Sequence, residues 1–242
     1  MILDPMPVPE AAQLLGISAN RVRALAANGR LPASKIGDRW LVERGAVEDR
    51  RRNGGVSGRP FEPRNAWALL FLASGQDVDG IDPSVRSRLR RALAVEGLVK
   101  LLPRLVRCAE PKHFSAHSGE VRYLLEDPAL VKAGISAAGT YDLGLVPGHE
   151  VDCYLPASGW EKFAEDHALS GGSIPGNVRV RLVPDKAWPL LAGTSVAPLA
   201  AVALDLVEDF DARSNVVGRT VLAALDRGLR NSGSTEARLA DS

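Results

Sequence analysis

Near its start the chain carries a polar and basic set: Ser18, Ala19, Asn20, Arg21 and Arg23, then Lys35 and Arg39. Amide and guanidinium groups hydrogen-bond to base edges, and basic side chains around a presented helix position a phosphate backbone. The chemistry they offer is recognition of a polyanion.

The neighbouring elements must present those side chains. Pro9 and Glu10 suit the first turn of a helix, where a missing N–H costs nothing and a negative charge meets the dipole. Ala11, Ala12, Leu14 and Leu15 give that helix an apolar side, and Gly16-Ile17-Ser18 predicts a tight turn. Ser18 is a natural N-cap for a second helix over Ala19 to Ala27. In it Val22, Leu25 and Ala26 face inward, leaving Ala19, Asn20, Arg21 and Arg23 outward. Asn28-Gly29 closes the helix. Gly37-Asp38 then predicts a two-residue hairpin between short β-prone runs, with Lys35 and Arg39 on it as a wing. Glu43 to Asp49 supplies a third helix, and Trp40 packs the wing onto the helices. This is the layout of a winged helix-turn-helix.

Other residues with chemical potential are weaker. Gly139-Thr140, then Glu150-Val151-Asp152, is similar to the Gly-Ser and Asp-x-Asp core of nucleotidyltransferases, whose carboxylates hold a divalent metal. Here Thr stands for Ser, Glu for the first Asp, and Pro147 and Gly148 interrupt the approach. A polar loop before a strand is the better reading. Asp77-Val78-Asp79 and Asp209-Phe210-Asp211 read as loop acids or helix caps. His113 and His117 have i, i+4 spacing without the Glu of the zinc-protease pattern. Cys108 and Cys153 form no C-x-x-C pair. Trp67, Trp160 and Trp188 read as core or interface. No enzyme activity, metal or cofactor is expected.

The chain has 242 residues, and the segment from Arg50 to Pro60 is rich in Gly and Arg. The expected organisation is a winged helix-turn-helix DNA-binding domain over 1–50 and a flexible basic linker over 51–62. A helical Arg-rich segment over 63–111, an α+β domain over 112–230 and a disordered tail over 231–242 follow. The class is α+β. Predicted helices cover Pro63 to Ser74, Pro83 to Val95 capped by Asp82, Leu98 to Arg107 strained by Pro103, and Glu120 to Glu126. Further helices open at Pro128, run from a Ser158 cap to Leu169, run from Leu199 to Val207, and run from an Asp211 cap to Leu229. Strands are predicted over Lys112 to Ala116, Val151 to Leu155 and Val178 to Val183, the last alternating as a half-buried strand does. In the helix carrying Arg86, Arg88, Arg90 and Arg91, two readings stay open. Those arginines contact DNA or a partner, or they solvate the outer side while Leu89 and Leu93 pack inward.

Composition sets outer bounds. About 45% of residues are apolar and 24% charged, ordinary for a globular protein and wrong for a disordered or fibrous one. Two cysteines fit a reduced thiol state. No apolar run reaches the roughly 18 residues of a membrane span, and no leader is evident, so a cytoplasmic protein is expected. The net charge is +1, yet residues 1–112 carry 19 basic and 12 acidic side chains and residues 113–242 carry 11 and 17. The first half suits a nucleic acid, and the second suits a protein partner.

The run PEAAQLLGISANRVRAL, followed by GRLPA and KIGDRWLV, resembles the excisionase/MerR-like winged helix-turn-helix. That resemblance implies base reading by Ala19, Asn20 and Arg23, and phosphate contact by Ser18, Arg21, Arg30, Lys35 and Arg39. At Ala19, where many relatives are polar, readout is limited to a thymine methyl. GRPFEPRNAWALL, AGISAA, VAPLAAVALDL and the later Asp211-Ala212-Arg213, Gly218-Arg219 and Leu222 together resemble the antitoxin of AbiE-type (type IV) toxin–antitoxin pairs. The resemblance implies an operon repressor that counters a nucleotidyltransferase-like toxin. It also implies double-stranded operator DNA as a partner, bound as a homodimer or cooperatively. The alternatives are a regulator with a small-molecule-sensing C-terminal domain and a degenerate nucleotidyltransferase.

Overall fold

The computed structural model describes residues 4–27, 31–37, 39–52, 59–105, 108–171, 176–209 and 211–240. The chain divides into two compact units, residues 1–59 and 60–242. The class is α+β, as expected.

The first unit contains β1 (Pro5–Pro7), α1 (Val8–Leu15), α2 (Ala19–Ala27), β2 (Ala33–Ile36), β3 (Arg39–Glu43) and α3 (Arg44–Arg52). Its sheet is antiparallel in the order β1-β3-β2. Met6, Val8, Ala11, Val22, Leu25, Leu31, Val42 and Val47 form its core, with Trp40 packed against it as expected. Strand β1 was not expected, because its prolines argue against a strand. It survives as an edge, where a missing donor is tolerated. Of the expected linker, residues 51 and 52 complete α3, and 53–58 lie outside the described residues.

The second unit opens with α4 (Pro63–Ala73), α5 (Pro83–Glu96) and α6 (Leu98–Leu101). Asp82 caps α5, its Oδ1 accepting from the Ser84 N–H at 2.7 Å. The helix expected to reach Arg107 stops at Leu101. Pro103 turns the chain into a 3-10 turn over Leu102–Arg104. Then come β4 (Glu110–Ser115), α7 (Val121–Glu126), β5 (Val131–Lys132), α8 (Gly134–Ala137), β6 (Val151–Pro156), α9 (Trp160–Asp166), β7 (Ser170–Gly171), β8 (Val178–Val183), α10 (Leu199–Val207) and α11 (Ala212–Ala240).

Three expectations fail here. Pro128 opens no helix, since Asp127 Oδ1 accepts from the Ala129 N–H at 2.7 Å and turns the chain toward β5. Ser158 does not cap α9, because its hydroxyl donates to Asp185 at 2.8 Å. Helix α11, capped by Asp211 as expected, runs past Leu229 to Ala240. Once nucleated against α10 it meets no proline in the polar stretch beyond. Segment 63–111 also does not pack by itself: Trp67, Leu89, Leu98 and Leu105 share one core with Tyr154, Val183 and Val202. Among the described residues no helix is long and apolar enough to cross a membrane.

The second sheet has the order β5-β6-β8-β4-β7, with β6 and β8 parallel and the other pairs antiparallel. Both of its faces are covered. Val151, Cys153, Leu155, Val178, Val180 and Leu182 meet Leu124 and Phe163 from α7 and α9. The alternate positions, Asp152, Tyr154, Arg179 and Arg181, point to the opposite face, toward α10. The alternation in β8 therefore does not mark a half-buried strand with arginines in water. It marks one apolar face and one ionic face.

That ionic face is buried. Arg181 Nε lies 2.9 Å from Asp205 Oδ1 on α10, and its Nη1 donates to Asp152 Oδ1. Arg179 Nη1 is 3.4 Å from the other Asp152 oxygen, and its Nη2 is 3.3 Å from Asp209. The Tyr154 hydroxyl donates to Asp205 at 2.8 Å, and the Gly134 N–H reaches the same carboxylate at 3.3 Å. Gly134 has φ +36, and a Cβ there would strike the Asp152 carboxylate.

Burial pushes the Asp205 carboxyl up to about 7, against the pull of Arg181. The folded state therefore holds a proton that the unfolded chain has already lost, across the window from about pH 4 to 7. The contribution of this group to stability falls as pH rises through that window. We expect the urea midpoint of Asp205→Asn to fall less than that of the wild type between pH 5 and 7.5. Parallel pH profiles for the two proteins would contradict this assignment.

Candidate nucleic-acid interface

Helix α2 is presented by a turn that only certain residues can make. Gly16 adopts φ 63, a left-handed conformation that carries no steric cost without a Cβ. Its N–H bonds to the Gln13 carbonyl at 3.2 Å, and the Ile17 N–H bonds to the Ala12 carbonyl at 3.1 Å. The Ser18 hydroxyl then accepts from the Arg21 N–H at 3.3 Å, the expected cap. Val22, Leu25 and Ala26 are buried, which turns the other side of α2 to solvent.

On that side Asn20, Arg21 and Arg23 are exposed, as is Ser18. Ala19 is not: it is half-buried and packs against the unit's core, so the outward position expected for it is corrected. Its methyl fills the helix–helix contact. Arg23 Nη1 donates to Asn20 Oδ1 at 2.7 Å, linking the two side chains to which the resemblance assigned base reading. The bond occupies the Asn20 oxygen and leaves the Asn20 amide N–H groups and Arg23 Nη2 as donors. A paired donor surface suits the O6 and N7 acceptors of guanine in the major groove.

The wing forms as a β2–β3 hairpin. Ile36 pairs with Arg39 and Lys35 with Trp40, with Gly37 at φ 58 in the two-residue connection. Directly opposed residues share a face of the ribbon. Lys35 therefore shares the Trp40 face and Arg39 lies on the other, so the hairpin tip carries one exposed cation per face. Arg30 and Asp38 lie outside the described residues.

The unit is held by a residue that the sequence patterns did not single out. Arg44, at the start of α3, places Nη2 2.9 Å from Glu10 Oε1 and Nε 3.2 Å from Asp4 Oδ2. The Glu10 hydrogen bond leads a set of acidic neighbours that hold the Arg44 guanidinium above its ordinary pKa. This pins α3 to α1 and to the segment entering β1. Three segments distant in sequence meet at that guanidinium, and no local spacing reveals it.

The other sequence candidates sit in the second unit. Arg86 is structural: Nη2 donates to the Val78 carbonyl, and Nη1 lies 3.5 Å from Asp77. Arg90 reaches the same carboxylate at 3.4 Å. Arg88 and Arg91 are exposed, while Leu89 and Leu93 are buried. The helix thus combines both readings, with Arg86 and Arg90 engaged within the unit. Gly139 and Thr140 lie in a 3-10 turn over Ala138–Tyr141, and Asp152 is clamped between two arginines. His117 lies beyond the end of β4, its Nδ1 accepting from the Gly119 N–H, so it shares no strand face with His113. Trp67 is fully buried, donating Nε1–H to the Cys108 carbonyl at 2.8 Å.

Comparison with known families decides the identity of the first unit. Residues 6–54 match the family model of a helix-turn-helix domain. The N-terminal unit is a helix-turn-helix DNA-binding domain. The match stops short of the second unit, and no curated protein and no solved structure shows a significant match to the chain.

The geometry separates two kinds of contact. Arg23→Ala should cost ~1–3 kcal/mol of binding to a specific site and relax selectivity at one base position. Lys35→Ala should weaken binding nearly equally on all sequences and reduce the slope of log K against log salt by about one. Competition binding on a randomised operator library at several salt concentrations measures both. An Arg23 variant with unchanged base preferences would remove that residue from base reading.

Proposed function

We propose that the protein is a transcriptional repressor that binds its own operator through α2 and acts as antitoxin to a nucleotidyltransferase-type toxin. The observation that carries the regulator reading is the exposed face of α2, with Asn20, Arg21 and Arg23 held outward by a buried apolar stripe. The antitoxin reading rests on the resemblance spread over the second unit and on that segment's acidic balance, which favours a protein partner over DNA.

A single module this small contacts a short stretch of duplex. Two copies on half-sites about 34–36 Å apart, as a homodimer or cooperatively, would supply the remaining affinity. Ser18, Arg21, Arg30, Lys35 and Arg39 serve the phosphates in this reading, and Asn20 and Arg23 the bases. The work is cytoplasmic, and no cofactor, metal or catalytic step is invoked.

The two roles are assigned to different units, so they separate genetically. The double variant Arg21→Ala, Arg23→Ala should lose operator binding at physiological salt and derepress a promoter fusion. Expressed from an unrelated promoter, it should still rescue growth when co-expressed with the neighbouring gene, and still co-purify with its product. Unchanged operator binding by the double variant would refute the α2 assignment. Failure of the wild type to rescue growth would refute the antitoxin assignment alone.

A further inference from the structure

The ionic face of the second sheet leaves one group unsatisfied. Arg181 is buried, with Nε on Asp205 and Nη1 on Asp152. Its Nη2 is buried too and finds no hydrogen-bond partner among the described residues. A buried donor on a charged group that goes unpaired is costly, and such groups in a folded protein call for an explanation.

Arg181 lines a cavity of about 230 Å³. Leu102, Leu105 and Leu204 supply apolar wall, and Asp205 and Glu208 join Arg181 as its charged lining. Glu208 is exposed, so it stands at the mouth, while Asp205 and Arg181 are buried at the base. The space exceeds what one water needs. It is below the ~300–1,000 Å³ of sites for drug-sized ligands. Apolar walls with a few convergent polar groups are the usual composition of a small-molecule site.

The charges at this site narrow the ligand. An anion would add a negative group beside Asp205 and Glu208. A cation would sit against the Arg181 guanidinium. A neutral molecule avoids both penalties, provided it brings an acceptor for Nη2 and a donor for a carboxylate. Cys108 also borders the cavity, and burial pushes its thiol up to about 12, so the lining offers no thiolate nucleophile.

We propose that this cavity binds a small neutral molecule with a carbonyl next to an N–H, the size of one substituted ring. The carbonyl accepts from Arg181 Nη2, the N–H donates to Glu208, and the ring lies among the three leucines. The site belongs to the second unit and is independent of the DNA-contacting face of α2 and of the antitoxin reading.

The test uses the full chain with three probes of one shape: benzamide, benzoate and benzamidine, which are neutral, anionic and cationic at pH 7.5. Binding is followed by methyl ¹H–¹³C spectra of Leu102, Leu105 and Leu204. Benzamide should shift these methyl signals saturably and bind at least tenfold more tightly than either charged probe. Removing Arg181 also breaks the buried ion pairs, so the decisive variant is Glu208→Leu at the exposed mouth. It should weaken benzamide about tenfold while leaving the urea midpoint near that of the wild type. No saturable shift with any probe means that the cavity holds only water, and the proposal fails. It also fails if all three probes bind alike, or if Glu208→Leu binds benzamide as the wild type does.

Discussion

The second unit is organised around a cation that cannot leave the protein interior. Arg181 sits between Asp152 on the neighbouring parallel strand and Asp205 on the helix that covers the sheet. A buried ion pair adds little net stability over well-packed apolar residues, because desolvation offsets the attraction. Its effect lies in what it forbids. A slip of β8 by one residue would turn Arg179 and Arg181 onto the face packed against Phe163, and Val178, Val180 and Leu182 onto Asp152 and Asp205. Charge placement thus fixes the strand register, the position of α10 and the approach of α8, whose Gly134 leaves room for the Asp152 carboxylate.

The first unit achieves a comparable result differently. Its core is small, and its tertiary order depends on Arg44 gathering Glu10 and Asp4 at one surface point. These contacts are exposed enough that each pair is weak alone. Their importance is positional, since they set α3 against α1 while the Gly16 turn sets α2.

What was legible in the sequence is what is decided locally. The Gly16 turn, the Ser18 cap, the apolar stripe of α2, the Gly37 hairpin and the Asp82 cap each depend on residues a few positions apart, and each forms. What was not legible depends on partners far along the chain. Ala19 was expected outward because a short side chain reveals little about its environment, and the neighbouring helix buries it. Pro128 resembled a helix start, but the Asp127 side chain captured the backbone first. Arg179 and Arg181 resembled a solvated face, because α10, which covers them, lies some twenty residues beyond. In the DNA-contacting unit the presented residues were readable, and the cation that holds their scaffold together was not.

The bond between Arg23 and Asn20 has a consequence for how the free protein meets its operator. An arginine immobilised at an interface gives up rotamer entropy worth roughly 1.5–2 kcal/mol. Here part of that loss has already occurred in the unbound chain, because the guanidinium is tethered one helical turn from its partner. Association then begins from a narrowed set of side-chain conformations. Such preorganisation lowers the entropic barrier to a specific contact, and it equally narrows the range of base sequences to which the pair can adapt.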